Sequence, residues 1–495
     1  MNQSENLDGQ NDTWMPGPYR VVGATSFGVF LSGLDASIVN VSLVTMMMSF
    51  GVTIDAIQWV VVAYLLVLTS SMPLMGKFGD RYGKKTIFQL GMLVFIAGSF
   101  FCAISVGLEM LVIARVFQAL GSAMIAANGL ALVTYFTTPQ NRGRAIGLNS
   151  VVLAAALGSG PVLGGVLTQL FGWESIFLVN LPIGIIGFIT VQYAIPKTEL
   201  VYETRFDTIG AGLFFTFLFL IIYYVTVATS TNGLMIFLFI GGALLAFIGF
   251  ILRERSFESP VIAIDVLADR KISVSIFSAL LAYMAIVPIS FLLPFYLQEA
   301  IGFDQFMTGI FLIIQPVMIS VTGPIAGFVS ERVNANIQTT VGLVIELAGL
   351  LLITLVVPNV LLMGVGVAIM GTGLSFFSVA NGNFIMTAAP KKYMGVVSAL
   401  TNLARTTGFS VATALVTTVF GVFFFTFNPW GIGSGTIYFE SYNRAFQSSV
   451  FIFSFLAIIA AIISTLRGLN QAEEDRENEL ASKESILQTE LISNE

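Results

Sequence analysis

The sequence predicts an all-α membrane protein of fourteen spanning helices, and three observations lead there. Of its 495 residues, 56% are hydrophobic and only 10% charged, with a mean hydropathy of +0.89, whereas an ordinary soluble chain is about 25% charged. Apolar runs of about 20 residues, the length that crosses a hydrocarbon core of about 30 Å, recur from Tyr19 to Leu466. The loops between them alternate in basic content, as successive loops on the two sides of a membrane do.

Taken in order, the polar opening MNQSENLDGQNDTWMPGPYR has no basic n-region and no small-residue cleavage site, so residues 1–18 read as a cytoplasmic tail and the first span directs its own insertion. Spans bounded by charge, Gly, Pro or Asn fall at about 19–44, 55–76, 86–105, 109–135, 144–170, 174–194, 208–228, 233–251, 273–298, 306–329, 337–357, 360–388, 394–424 and 444–466. An even number places both termini on one side. Loops on that side carry Lys77, Arg81, Lys84, Lys85, Arg142, Arg144, Lys197, Arg205, Arg253, Arg255, Arg270, Lys271, Arg332, Lys391 and Lys392, while the opposite loops carry only Arg444. The positive-inside rule therefore predicts cytoplasmic termini. The net charge is −6, and much of the acid lies after Arg467, in a tail that reads as solvated, partly helical or disordered.

Several chemistries are excluded. One cysteine, Cys102, cannot form a disulfide within one chain. The absence of histidine removes His-based metal sites and His-mediated proton transfer, so any proton coupling must use carboxylates. No phosphate-binding glycine loop or nucleophile constellation occurs. The expectation is no enzyme, no catalytic or metal site, no cofactor and no nucleic acid.

The chain repeats itself. PLMGKFGDRYG, after the second span, returns 251 residues later as GPIAGFVSERVN, with Pro73, Gly76 and Arg81 recurring as Pro324, Gly327 and Arg332. AANG, with Asn128 and Gly129, returns as VANG, with Asn381 and Gly382. Transporters built from two six-helix halves show such symmetry. The predicted organisation is a six-helix half at 19–194, a linker with helices 7 and 8 at 195–272, a second six-helix half at 273–467 and the acidic cytoplasmic tail at 468–495.

In the loop GKFGDRYGKK, Gly76, Gly79 and Gly83 permit a tight reversal and Asp80 and Arg81 supply opposite charges. In GSGPVLGG, Gly160 and Gly164 share one face of the fifth helix, where a neighbour can approach closely, and Pro161 removes a backbone hydrogen bond and allows a bend. The GKFGDRYGKK loop resembles the cytoplasmic signature loop of the major facilitator superfamily. LDASIVNVSL, ARVFQALGSA, GSGPVLGG (Gly158 to Gly165) and WESIFLVNLPIG are similar to the first-, fourth-, fifth- and sixth-helix motifs of its fourteen-helix drug:proton antiporter family. The resemblance runs from about residue 20 to 467 and implies the major facilitator fold, with Gly158, Gly160, Pro161, Gly164 and Gly165 as the antiporter motif. It also implies that Gly76, Asp80, Arg81 and Gly83 form a conformational latch, the carboxylate docking on a helix N-terminus of the other half. The sequence departs from the pattern at Glu174, where a basic residue is usual, and at Glu331 and Asn334 in the second loop.

An ionisable group inside the hydrocarbon costs roughly 2.5 to 3.5 kcal/mol at a helix centre by insertion scales, so each needs a partner or a role. Four qualify: Asp35, Arg115, Glu346 and Arg405. Asp35 and Arg115 lie at depths that agree within roughly 3 Å, and read either as a proton-coupling pair, with proton and drug competing for one carboxylate, or as a fixed structural pair. Glu346 and Arg405, both near the midplane, read as a structural pair or a second coupling pair. Tyr64, Gln118, Asn128, Tyr296, Gln315, Phe376, Asn381 and Met386 are candidate substrate-cavity residues. The expected function is proton-coupled export of amphipathic, cationic or neutral lipophilic small molecules by a monomer in the bacterial-type cytoplasmic membrane. The alternatives are a same-fold exporter of a physiological lipid, peptide or metabolite, a proton symporter, and a transport-dead sensor.

Overall fold

With no water in the bilayer core to satisfy backbone groups, a chain this apolar must close its own hydrogen bonds, and helices do so within each segment. The computed structural model describes residues 18–137, 139–196, 207–227, 233–257, 268–330, 332–388, 394–431 and 435–493, and no strand occurs among them. Among the described residues thirteen helices are long and apolar enough to cross a membrane, and the shorter apolar stretch Thr208–Tyr224 belongs to a further helix. We number them α1 (Arg20–Phe50), α2 (Ile54–Tyr82), α3 (Lys84–Ala103), α4 (Leu108–Tyr135), α5 (Pro139–Phe171), α6 (Ser175–Ala194), α7 (Thr208–Val227) and α8 (Gly233–Ser256). Then follow α9 (Arg270–Ala300), α10 (Gln305–Ser330), α11 (Ala335–Val356), α12 (Val360–Ala388), α13 (Met394–Phe427) and α14 (Thr436–Ser493).

Local chemistry sets the boundaries. Gly83, at φ +94°, turns α2 into α3 through a backbone region closed to most side chains, and Gly172, at φ +84°, does the same between α5 and α6. Asp269 caps α9 by accepting from the N–H groups of Lys271 and Ile272, and Asp304 caps α10 by accepting from that of Met307. Several boundaries differ from expectation: α2 and α8 run past their expected ends near 76 and 251, to Tyr82 and Ser256. Helix α1 runs to Phe50 rather than ending near 44. Helix α14 begins at Thr436 and continues through the acidic tail to Ser493, because that tail is rich in Glu and Leu, which favour helix whether or not they lie in lipid.

Within the first six helices α1 packs along α5, α4 and α6, and α4 along α3 and α2; within the last six, α11 packs along α12 and α14, and α9 along α14 and α13. The two groups meet along α5 with α10 and along α2 with α13, and α7 bridges the second seam, touching both α2 and α13. The sequence repeat is also a packing repeat. A Cβ on Gly121 would strike the backbone of Phe95, and one on Gly373 the backbone of Glu346; Gly98 lies against the backbone of Gln118, and Gly349 against that of Met370.

The groups are closed on the face away from the basic loops. There Gln298 Nε2 donates to Val41 O at 3.0 Å, Gln305 Nε2 to Thr45 Oγ1 at 3.2 Å, and Thr417 bonds Gln58. On the basic face, glycines near the ends of α2 and α10 touch nothing from the other group: a Cβ on Gly76 would meet only Ala127, and one on Gly327 nothing within 4 Å. At these two positions, on the side that bears the signature loop, the groups are not in contact.

Candidate functional site

A carboxylate in the middle of α1 must find donors without water, and α4 and α6 supply them. Asp35 is fully buried. Arg115 Nη1 of α4 donates to its Oδ2 at 2.6 Å, while Gln118 Nε2 of α4 and Asn180 Nδ2 of α6 donate to its Oδ1 at 2.8 and 3.2 Å. Gln118 Nε2 also donates to Ser99 Oγ of α3 at 2.8 Å. The guanidinium is satisfied on its other sides: Nε donates to Val60 O at 3.1 Å, Nη1 to Gln118 Oε1 at 2.5 Å, and the Tyr64 ring lies 3.9 Å from its carbon. Tyr64 in turn donates to Ser122 Oγ at 2.9 Å. This closed network neutralises a charge pair that hydrocarbon alone would not tolerate.

The structure thus joins Asp35 and Arg115, as their depths predict. It does not join Glu346 and Arg405. Arg405 Nη2 donates to Asn402 Oδ1 one turn away at 2.9 Å, and both carboxyl oxygens of the fully buried Glu346 lack a hydrogen-bond partner. Depth alone cannot place two side chains on facing surfaces, and Glu346 faces the glycine-rich α11/α12 seam instead. Ser99 and Asn180 were not singled out by sequence reasoning. Asn180 carried a signal, being the polar residue inside the apolar run IFLVNLPIG, whereas Ser99 looked like ordinary small-residue packing.

Of the cavity candidates, Tyr64 and Gln118 belong to the Asp35 network. Asn128 is buried, donating to Met75 O and Met124 O at 3.0 Å each, and fills the space beside Gly79. Tyr296 is buried, donating to Asn443 Oδ1 at 2.6 Å and stacking on Phe446. Asn381 is buried with its Oδ1 unpartnered. Gln315, Phe376 and Met386 are half-buried.

The GSGPVLGG segment serves two neighbours. Gly160 and Gly164 admit Ser37 and Ile38 of α1, whereas Gly158 faces Pro316 and Gly165 the Gln305 backbone of α10. Gly309 of α10 reciprocates by resting on the Pro161 carbonyl, a role that nothing in its sequence context announced. Segment α5 is therefore clamped between its own group and the other one. In the signature loop, Asp80 at the end of α2 pairs with Lys84 at the start of α3, and Arg81 lies over the Tyr82 ring at 5.3 Å. Among the described contacts that carboxylate engages its own loop, and Gly76 and Gly83 position the reversal.

The model of the Major Facilitator Superfamily matches residues 25–413. The chain belongs to that superfamily. It is 34% identical over 399 residues to a riboflavin transporter of Clostridioides difficile, covering 79% of this chain and 86% of that one. It is 29% identical over 418 residues to a methylenomycin A resistance protein of Bacillus subtilis, covering 83% and 88%. Among solved structures, a bacterial homologue of the human lysosomal transporter Spinster, in an inward-facing and unoccupied conformation, matches with a TM-score of 0.66 at 15% identity, covering 91% of this chain and 97% of that one. At that identity the likeness shows the fold. The protein is a multi-pass membrane transporter of small molecules and not an enzyme.

Proposed function

We propose that this transporter is a proton-coupled antiporter that exports amphipathic, cationic or neutral lipophilic compounds across a bacterial-type cytoplasmic membrane, with both termini in the cytoplasm. The observation that carries the reading is Asp35, a carboxylate fully buried within α1 whose ion pair with Arg115 and bonds to Gln118 and Asn180 join three helices. Protonation would dissolve the charge pair, and a group that binds several helices at once converts that local change into a different helix arrangement. In the proposed cycle a compound enters from the cytoplasm or the inner leaflet while the basic face is open, the two groups rock, and the proton taken up from outside resets the carrier. The α5 glycines and Gly309 would keep the opposite seam tight to protons during loading. Relatives that confer antibiotic resistance support export.

The similarity to a riboflavin transporter favours a second reading, in which the same fold moves a physiological metabolite. One experiment separates the two. Purified protein in proteoliposomes is given ethidium or riboflavin, and substrate-driven proton movement is recorded for wild type and Asp35→Asn. Ethidium-driven flux that vanishes in Asp35→Asn is the expected result. Flux that survives the substitution removes coupling from Asp35 and directs attention to Glu346, and flux with riboflavin alone selects the metabolite reading.

A further inference from the structure

Helix α9 changes its winding as it nears the closed face. Pro288–Leu292 and Tyr296–Ala300 are π-helical turns, a geometry that recurs at functional sites. The second turn carries Gln298 and Glu299 side by side. Gln298 Nε2 closes the seam between the two groups on Val41 O of α1 at 3.0 Å. Glu299 is half-buried, and its Oε1 is shut off from solvent without a hydrogen-bond partner. Its carboxyl lies near enough to Tyr438 and Tyr442 of α14 to interact electrostatically with both. Those two rings and Phe424 of α13 stand 5.7 to 5.8 Å from one another, so the turn packs beside an aromatic wall.

The closed face offers this carboxyl no cation. The sequence supplies one base there, Arg444, and it donates to Glu440 Oε1 at 2.6 Å. The other acids of that face are differently placed: Asp304 accepts from the Met307 N–H, Asp55 and Glu109 are exposed, and Glu174 is half-buried at the turn between α5 and α6. An ionised carboxylate with a dry, unpartnered oxygen is far costlier than the neutral acid. Once the seam opens and the turn meets water, that cost vanishes and the carboxyl ionises. The closed seam therefore binds one proton more than the open one. We propose that Glu299 is a second proton-accepting residue of the transport cycle, loaded from outside, and that the outer seam closes only over its protonated form. Raising the pH withdraws that proton and favours the open seam, and one linked proton lets the ratio of open to closed rise by up to about tenfold per pH unit.

The inference rests on the proposed antiport for the direction of loading, but its test reads conformation and not transport. Full-length protein in detergent carries spin labels introduced by Val106→Cys and Trp430→Cys, 91% and 86% exposed in loops of the two groups on the closed face, while Cys102 is buried. Double electron–electron resonance then gives the distance across the seam between about pH 5 and about pH 9, a range that titrates carboxyls in wet and dry surroundings. The expected result is a long-distance population that grows with pH in wild type and in Glu299→Asp. In Glu299→Gln the short distance should persist throughout. Asp35→Asn should keep the response, which separates this residue from the one that carries the antiport reading. A response that survives Glu299→Gln, one that runs in the opposite direction, or none in wild type would overturn the proposal. So would a response abolished by Asp35→Asn and kept by Glu299→Gln, which would leave the antiport reading standing.

Discussion

The α3/α4 seam and the α11/α12 seam are two copies of one piece of packing with opposite chemistry. Gly91 and Gly342, and likewise Gly98 and Gly349, stand at the 251-residue spacing of the repeat, and Gly121 and Gly373 fall within one residue of it. In both seams these glycines bring backbone onto backbone. In the first, the side chains around that contact are Phe95, Ser99 and Gln118, the last two wired into the Asp35 network. In the second, the same positions hold Glu346, Leu350 and Met370, and the one polar group has no partner. Backbone proximity, fixed by glycine, has persisted in both copies while the side chains around it differ freely. The polar network around Asp35 links α1, α3, α4 and α6 of the first six helices, which is why we propose proton coupling there.

The largest expected effect breaks that network. Arg115→Ala leaves Asp35 buried with its charge uncompensated and should lower stability in detergent by about 3–5 kcal/mol. Asp35→Asn with Arg115→Gln, which removes both charges, should cost distinctly less, measured as the shift in Tm. Equal losses would mean that the pair matters through packing alone. Next come the glycines. Gly121→Leu and Gly373→Leu each force a side chain into a helix backbone and should each cost about 1–3 kcal/mol or more. The prediction is parity between the two, and a harmless Gly373→Leu would separate the copies. Third, Glu346→Met replaces two unpartnered oxygens by an apolar chain of similar length and should raise stability by about 1–3 kcal/mol, while the reciprocal Phe95→Glu should lower it. A stabilised Glu346→Met that still moves protons in response to substrate would confine coupling to the first group.

The fold was legible because its determinants are one-dimensional. Run length gives span number, loop charge gives alternation, and the repeat gives the symmetry that Gly121 and Gly373 display in three dimensions. The Asp35–Arg115 contact was legible for a related reason: two charges at one depth in hydrocarbon have few other partners. Glu346 and Arg405 satisfied the same depth rule and yet stand apart, because depth leaves the rotation of each helix free. Asn180 and Ser99 entered the site through rotation as well, as did Gly309, whose partner at Pro161 lies in the other group. Helix α7 was visible as an apolar run, but its position across the α2/α13 seam depends on surface complementarity that periodicity does not encode.

The smallest expected effect concerns the signature loop, where the two copies differ again: Asp80 bonds Lys84 in the first loop, while in the second Arg332 lies over the Phe328 ring at 4.0 Å. Both partners of the Asp80 pair retain some solvent contact, and exposed pairs are worth about 0.2–1 kcal/mol. Asp80→Asn should therefore leave Tm almost unchanged in this conformation. Transport is a different measurement, since it samples the conformation in which the basic face closes. If the carboxylate then meets a helix N-terminus of the other group, the substitution weakens that state alone, and a contact worth about 1 kcal/mol shifts the balance between states about fivefold. A variant with unchanged Tm and a substrate-driven proton flux several-fold below wild type is the expected outcome. Unchanged flux would mean that Asp80 does no more than pair with Lys84, and that the first loop, like the second, marks topology without latching a state.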